Sequence, residues 1–397
     1  MKNYDYDIIV VGAGPAGSSA AKEAALKGAK VLLVDRRKEI GAPVRCGEGL
    51  GAGIEKELNF KVPKEAIDAY INGAELYAPN NKKLELRNEA SKGYVIDRKK
   101  FDKFLAEEAA RAGAEVIVKT RIDDLKKEGS RFIGVVGSSM GERFEASAKV
   151  IIAADGGESL IARKAGIESI ATLYDSDFGI EYEMVGVDVK DVIEIYFSNN
   201  FAPRGYAWVF PKGKDSANVG VGVDGLHGNA IYFLKKFLEA YKERFENARV
   251  VAVKGGLITV SMYLDELVKQ NLMVVGEAAH QVDPVHGGGI ALSMKAGKIA
   301  GRVACEYVKE NKDISYLQEY KKEWDKEEKK RFEQRLELRK VLEKMNDEDL
   351  NAIFDALSNE DLQKIIDGDF KTVVKKVSKI LIKRPSLVKL ISVLLKW

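Results

Sequence analysis

The chain opens on a β-type run, DIIVV at 7–11, apolar after its first residue. GAGPAG follows, and then a helix of small residues that stops at Gly28. KVLLVD at 30–35 is a second buried strand, so the N-terminus reads as β–α–β. A helical stretch covers about 98–112, EVIVKT follows it as a strand, and KVIIAAD at 149–155 is another buried strand. From about 174 to 224 the pattern shortens. IEYEM, IEIYF, YAWVF and ANVGVGV are β-rich segments separated by turn residues, which predicts an antiparallel meander. The apolar strand LMVV returns at 272–275, then a glycine-rich turn and a helix to about 308. Beyond 312 everything reads as helix. Leu317, Tyr320, Trp324, Phe332, Leu336 and Leu342 recur at helical spacing on a charged segment, and two short capped helices start near Asn346 and Ser358.

This pattern predicts an α/β (α+β) chain in three parts. A discontinuous Rossmann-like dinucleotide-binding domain takes residues 1–170 and 255–310. An antiparallel-sheet domain takes 171–254, and a C-terminal helical region takes 311–397. The 397 residues suffice for two or three packed units. Nearly half are hydrophobic and about a third charged, a globular profile. A net charge of +3, with both signs interspersed, gives no reason to expect nucleic-acid binding. Two cysteines and three histidines argue against a disulfide framework and against a metalloenzyme. No charged-apolar-small leader precedes the first strand, and no run of ~18 apolar residues occurs. A cytoplasmic protein is expected.

The first candidate chemistry lies in GAGPAG. Gly12 permits a tight turn, Gly14 lets backbone approach a pyrophosphate, and Gly17 lets helix and strand pack closely. The helix N-terminus supplies free N–H groups and positive dipole. Asp35 ends the next strand, where a carboxylate can bond ribose hydroxyls. Gly220, Gly222 and Gly225 spell the same motif, but inside a strand. They fit glycines where a ligand or backbone comes close, and predict no second dinucleotide site.

In YAWVF, alternation puts Tyr206, Trp208 and Phe210 on one face, over roughly 13 Å. Three aromatics in a row make either a long apolar wall or an ordinary core face. Cys46, between flanking residues of a glycine-bearing loop, is a candidate functional thiol or a small buried side chain. Cys305 reads as core, and His280 and His286 as loop residues. The last 27 residues carry eight basic residues and no acid. Lys371, Lys375, Lys379 and Lys383 share one helical face, and a second apolar helix follows Pro385. This is a surface-lying membrane element or a packing element.

The fingerprint, Arg98 in YVIDRKKFDKFL, Asp155-Gly156 in AADGGES, and GEAAHQVDPVHGGGI at 276–290 resemble the FAD-binding set of the aromatic-hydroxylase flavoprotein superfamily. PVRCGEG at 43–49 and PRGYAWVFP at 203–211 resemble the geranylgeranyl reductases, above all their archaeal branch acting on digeranylgeranylglycerophospholipids. The resemblance implies FAD as cofactor, with contacts from Gly12, Gly14, Ala16, Gly17, Asp35, Cys46, Gly47, Gly49, Arg98, Ile122, Asp155, Gly156, Glu277, Gly289 and Ile290. It implies a prenyl chain against Tyr206, Trp208 and Phe210, with Cys46, Tyr206 and Trp208 as catalytic candidates and no metal. Two positions depart from the family. Asp35 stands where it has Glu, and Glu277 where it has Asp. Arg163 follows Asp-Gly one residue later than in the hydroxylases, which argues against that branch.

The implied reaction saturates C=C bonds of a polyprenyl glycerophospholipid, with ferredoxin or NAD(P)H as electron donor. The chain would work peripherally at the inner face of an anionic membrane. An FAD monooxygenase and a flavin electron carrier are the alternatives.

Overall fold

The computed structural model describes residues 4–366 together with Ser378, Val388 and Val393. Apart from those three, the basic C-terminal pair expected over 371–397 lies outside the described residues. The chain divides into two compact units. The first comprises residues 1–44, 98–171 and 259–332, the second 45–97, 172–258 and 333–397.

The first unit is built on the strand Tyr6–Val11, whose Ile8, Ile9 and Val10 are fully buried. It pairs in parallel with Val31–Val34 on one side and Glu142–Ala153 on the other. Glu115–Ile117 and Leu272–Val274 extend the sheet in parallel, and Val268–Lys269 closes one edge antiparallel. A strand buried on both faces must be apolar throughout, which is why these runs are Val- and Ile-rich rather than alternating. Thr120–Glu128 and Arg131–Ser139 form an antiparallel flap on the long strand Glu142–Ala153.

Two helices, Pro15–Leu26 and Ile290–Lys309, interlock in this unit. A Cβ on Gly297 would sit 2.1 Å from the Ala16 carbonyl oxygen, and one on Gly301 2.3 Å from that of Ala20. Small residues on both helices bring the backbones together. Of the stripe expected from helical spacing, Leu317, Tyr320, Trp324 and Phe332 are buried in the same core, whereas Leu336 and Leu342 are half-buried outside it.

The second unit carries a seven-stranded sheet. Its order is Arg249–Thr259, Ser176–Val185, Ser216–Asp224, Tyr206–Pro211, Ile193–Tyr196, Ala74–Tyr77, Lys83–Leu86. The meander is antiparallel as expected. Ile193–Tyr196 pairs in parallel with Ala74–Tyr77. Residues 45–97, expected in the dinucleotide-binding domain, therefore belong to the second unit. A parallel pairing between segments far apart in the sequence leaves no signal in local pattern. The helical region expected from 311 is likewise divided, at Phe332.

One face of this sheet presents Ala207, Val209, Val219 and Val221 to Leu234 and Phe237 of the helix Ala230–Ala240. Each large side chain buried there contributes about 1.5–3 kcal/mol. By strand alternation, Tyr206, Trp208 and Phe210 occupy the opposite face.

Candidate functional site: a dinucleotide cradle and an aromatic wall

In the first unit the fingerprint loop behaves as its glycines require. Gly12 has φ +103°, and a Cβ there would fall 2.2 Å from the Ala154 carbonyl oxygen. A Cβ on Gly17 would fall 1.8 Å from the Gly12 oxygen. Gly14 differs. Its φ of −76° suits any residue, and a Cβ there meets nothing within 4 Å. Its position faces open space at the start of a helix with no acidic residue in its first turn.

The helix from Ile290 begins the same way, after Gly289 and with no capping side chain. Gly276 brings the turn that carries Glu277 against Ala16, since a Cβ on it would lie 2.7 Å from the Ala16 Cβ. Glu277 reaches Gly157, whose Cβ would lie 3.3 Å from its carboxyl. Ala16, Gly276, Glu277, Gly289 and Ile290 thus gather around two bare helix N-termini. An anion fits there, because unpaired N–H groups and the helix dipoles favour negative charge.

Asp35 does more bracing than expected. Its Oδ2 accepts from Ala13 N at 2.9 Å and its Oδ1 from Arg37 N at 2.8 Å. Its carboxylate fixes the fingerprint loop, and the shorter Asp suits that reach. Asp155 accepts from Ile161 N at 2.9 Å through Oδ2, while its buried Oδ1 has no hydrogen-bond partner among the described residues. Burial raises its pKa, against the pull of the Ile161 N–H. Gly156 follows at φ +80°. A buried acceptor without a donor matches a hydroxyl-bearing ligand. On these grounds the cradle fits FAD.

Arg98 forms a two-pronged pair with buried Asp102, both contacts at 2.8 Å. Ile122 is buried in the flap, and Gly137 is a glycine because a Cβ there would lie 2.8 Å from the Ile122 Cα. His280 is held by Ser261 Oγ at 3.3 Å and by the Ser169 carbonyl at 3.1 Å. It is a structural histidine. Cys305 is buried as core.

The second unit holds the wall. The Tyr206 and Trp208 rings are 5.9 Å apart and the Trp208 and Phe210 rings 6.1 Å, a continuous row. Trp208 is buried, while Tyr206 and Phe210 are half-buried. The strand glycines explain themselves here. A Cβ on Gly220 would lie 2.4 Å from a Trp208 ring carbon, so only glycine lets the indole lie across the neighbouring strand. Gly47 and Gly49 lie on Phe210, at 3.3 and 3.2 Å for their missing Cβ atoms. Cys46, half-buried and in no disulfide, accepts the Glu48 N–H on Sγ at 3.3 Å.

The sequence reading missed a buried charge cluster on this face. Glu48, at φ +69°, accepts from Lys212 Nζ at 2.6 Å, Lys254 Nζ at 2.8 Å and Asn218 Nδ2 at 2.8 Å. Asn218 also holds the Gly47 carbonyl, at 3.2 Å. Glu181 Oε2 accepts the Trp208 indole N–H at 3.1 Å. Glu181 does share the alternation of its strand, yet its partners come from three distant segments that spacing cannot join. Among the described residues, no cluster of potential metal ligands occurs.

The comparisons bear on both units. Residues 7–173 match the family described as FAD dependent oxidoreductase, and residues 175–258 the one described as geranylgeranyl reductase catalytic domain. Across 390 residues the chain is 41% identical to the digeranylgeranylglycerophospholipid reductase of Methanocaldococcus jannaschii, covering 97% of each protein. The chain belongs to the digeranylgeranylglycerophospholipid reductase family. A second member of this reductase family, from Methanosarcina acetivorans, is 40% identical over 89% of this chain and 88% of its own. The crystal structure of a geranylgeranyl bacteriochlorophyll reductase-like protein from Thermoplasma acidophilum superposes with a TM-score of 0.87 at 33% identity. It covers 98% of this chain and 99% of its own. A flavin-dependent brominase shares the fold alone, with a TM-score of 0.73 at 19% identity.

Proposed function

We propose that this protein is an FAD-dependent reductase that saturates the C=C bonds of geranylgeranyl chains on a digeranylgeranylglycerophospholipid. The observation that carries this reading is the row Tyr206–Trp208–Phe210, laid flat over glycines in the unit that matches the geranylgeranyl reductase catalytic domain.

FAD is the cofactor, and when bound and reduced it supplies hydride. In the first unit, the N–H groups in the first turns of the helices Pro15–Leu26, after its proline, and Ile290–Lys309 would hold its phosphates, with Gly14 leaving room. Asp155 Oδ1 would accept from a hydroxyl. In the second unit, the wall would hold an extended prenyl chain and exclude water from it. Isolated trisubstituted alkenes carry no carbonyl to accept charge. Ring faces therefore suit the cationic character that develops on protonation, worth about 0.5–2 kcal/mol per contact. Holding the alkene in one register lowers the barrier further by removing its freedom beforehand. Tyr206 and Trp208 are assigned that orienting role. Cys46 is the nearest candidate proton donor, but an ordinary thiol, with a pKa near ~8.5, is a weak acid for an alkene, so the proton that accompanies the hydride is assigned to water or to the reduced flavin.

Two finer points belong to the same reading. The electron donor is a docking protein of the ferredoxin type or transiently bound NAD(P)H. In the second GxGxxG, Gly220 makes room for the indole, and Gly225 for the Leu173 carbonyl oxygen, which would lie 2.3 Å from its Cβ. Membrane access is assigned to the basic segment at 371–397, which pairs a lysine face with apolar residues. Among the described residues, no helix is long and apolar enough to cross a membrane.

Trp208→Ala tests the reading. The variant should keep its flavin absorbance and lose most reduction of geranylgeranyl lipid. Equal loss of flavin and turnover would assign Trp208 to folding instead.

A further inference from the structure

The wall rests on an uneven set of charges. Glu181 and Trp208 flank Gly220 on adjacent strands, each in direct register with it. Gly220 has no side chain to keep them apart, since a Cβ there would lie 2.4 Å from the indole and 2.7 Å from the Glu181 Cβ. The indole N–H fixes Glu181 Oε2 as an acceptor. Glu181 Oε1 is buried and has no hydrogen-bond partner among the described residues.

The groups facing Glu181 come from four segments. Lys254, on the edge strand, has its Nζ 3.7 Å from Oε1 but sits closer to Glu183 at 2.7 Å and Glu48 at 2.8 Å. Lys212, after the wall strand, is held by Glu48 at 2.6 Å, Asp68 at 3.2 Å and Glu183 at 3.5 Å. Asn218 divides its amide between Glu48 and Gly47. Two ammonium groups thus already face three carboxylates before Glu181 is counted. Burial works against the charge on Lys212, yet its carboxylate neighbours hold its pKa above the ordinary value. For Glu181 burial dominates and Glu48 adds to it, against the pull of Lys254 and the indole. Its pKa is pushed up to about 8.

We propose that Glu181, in its neutral form, is the positioning residue that sets the Trp208 ring and thereby the register of the prenyl chain. The proposal rests on the reading of the wall as the prenyl-binding surface. The neutral acid needs a proton on Oε1, because Oε2 is taken by the indole. Loss of that proton makes Oε1 a strong acceptor beside Lys254. Lys254 then moves from 3.7 Å to bonding distance and leaves Glu48 and Glu183. Glu48 anchors the loop whose Gly47 and Gly49 lie on Phe210, so the wall shifts at two of its three rings. Turnover should fall as pH rises through about 8.

The test uses the FAD-loaded full chain labelled with 5-fluorotryptophan. The chain has three tryptophans, and Trp208→Phe identifies the resonance of interest. That resonance should titrate with a midpoint near pH 8, and Glu181→Gln should remove the titration. Glu181→Ala should lower turnover at neutral pH by at least about tenfold. Glu181→Gln, whose amide still accepts the indole N–H, should recover most of that loss and flatten the alkaline fall. The proposal is overturned if the Trp208 resonance stays fixed between about pH 6 and 10, or titrates equally in Glu181→Gln. It is also overturned if Gln and Ala variants lose turnover alike, because the proton itself would then be what matters. If reduced enzyme saturates no prenyl lipid at any pH, the functional reading fails, while the titration of Trp208 is decided separately.

Discussion

A methyl group at Gly220 would collide with the Trp208 ring, whereas one at Gly14 would meet open space. The two glycines therefore answer substitution in opposite ways. Gly14→Ala should leave the stability of the flavin-free protein within about 0.5 kcal/mol, because its φ is ordinary and nothing is displaced. The same change should weaken FAD binding by about tenfold or more, read by flavin fluorescence titration. Gly220→Ala should keep FAD and lose about tenfold or more in prenyl reduction, with altered near-ultraviolet circular dichroism from the displaced indole. Glycine spacing alone could not separate these cases. The fingerprint at Gly12 was legible because a buried strand precedes it and Asp35 follows. The strand glycines were legible as lying inside a strand, but the reason for Gly220 required the register that sets Trp208 opposite it.

Glu181 adds a stability prediction at the same scale. Its ordinary pKa of 4.5 is pushed up to about 8 by burial. Between those values the unfolded chain releases the proton and the folded chain keeps it. Stability therefore falls as pH rises through that window and levels above about 8. Glu181→Gln should be the more stable protein at pH 8, with the gap narrowing towards pH 5. Denaturant melts at both pH values check this. A gap that does not change with pH would mean that Glu181 is ionised in the folded state.

At the scale of elements, the cradle depends on two helices held unusually close. Gly297 and Gly301 accept the backbone of Pro15–Leu26 where side chains would otherwise stand. Gly297→Val should cost at least about 1–3 kcal/mol by overpacking, and should release flavin before the chain unfolds. Loss of flavin absorbance ahead of the circular dichroism transition on heating is the expected result. The small residues of both helices were visible in the sequence, but not that they meet. The sequence reading placed no strand at Ala74–Tyr77 or at Lys83–Leu86, and the parallel pairing with Ile193–Tyr196 is what assigns them to the wall sheet. Non-local pairing of this kind leaves no period in the sequence.

For the whole molecule, the lipid substrate sets the requirement that the enzyme reach a bilayer. On the proposed membrane role of residues 371–397, Lys371→Glu, Lys375→Glu, Lys379→Glu and Lys383→Glu together should abolish sedimentation with anionic vesicles, since each lysine contributes about 1 kcal/mol near such a surface. Turnover on detergent-dispersed lipid should survive. Unchanged sedimentation would place membrane contact elsewhere. The family was legible from PVRCGEG and PRGYAWVFP because each is a long motif of fixed residue types rather than a periodic pattern. The buried cluster beneath the wall was not, since charge pairs drawn from distant segments have no sequence signature.

The central claim is that geranylgeranyl double bonds are reduced by this flavoprotein. Its most direct test is mass spectrometry of digeranylgeranylglycerophospholipid after anaerobic incubation with chemically reduced enzyme. Products heavier by two hydrogens for each flavin reoxidised, and no oxygen incorporated when air is admitted, are the predicted result. Flavin that stays reduced with the lipid unchanged, or a product that gains oxygen in air, would contradict it.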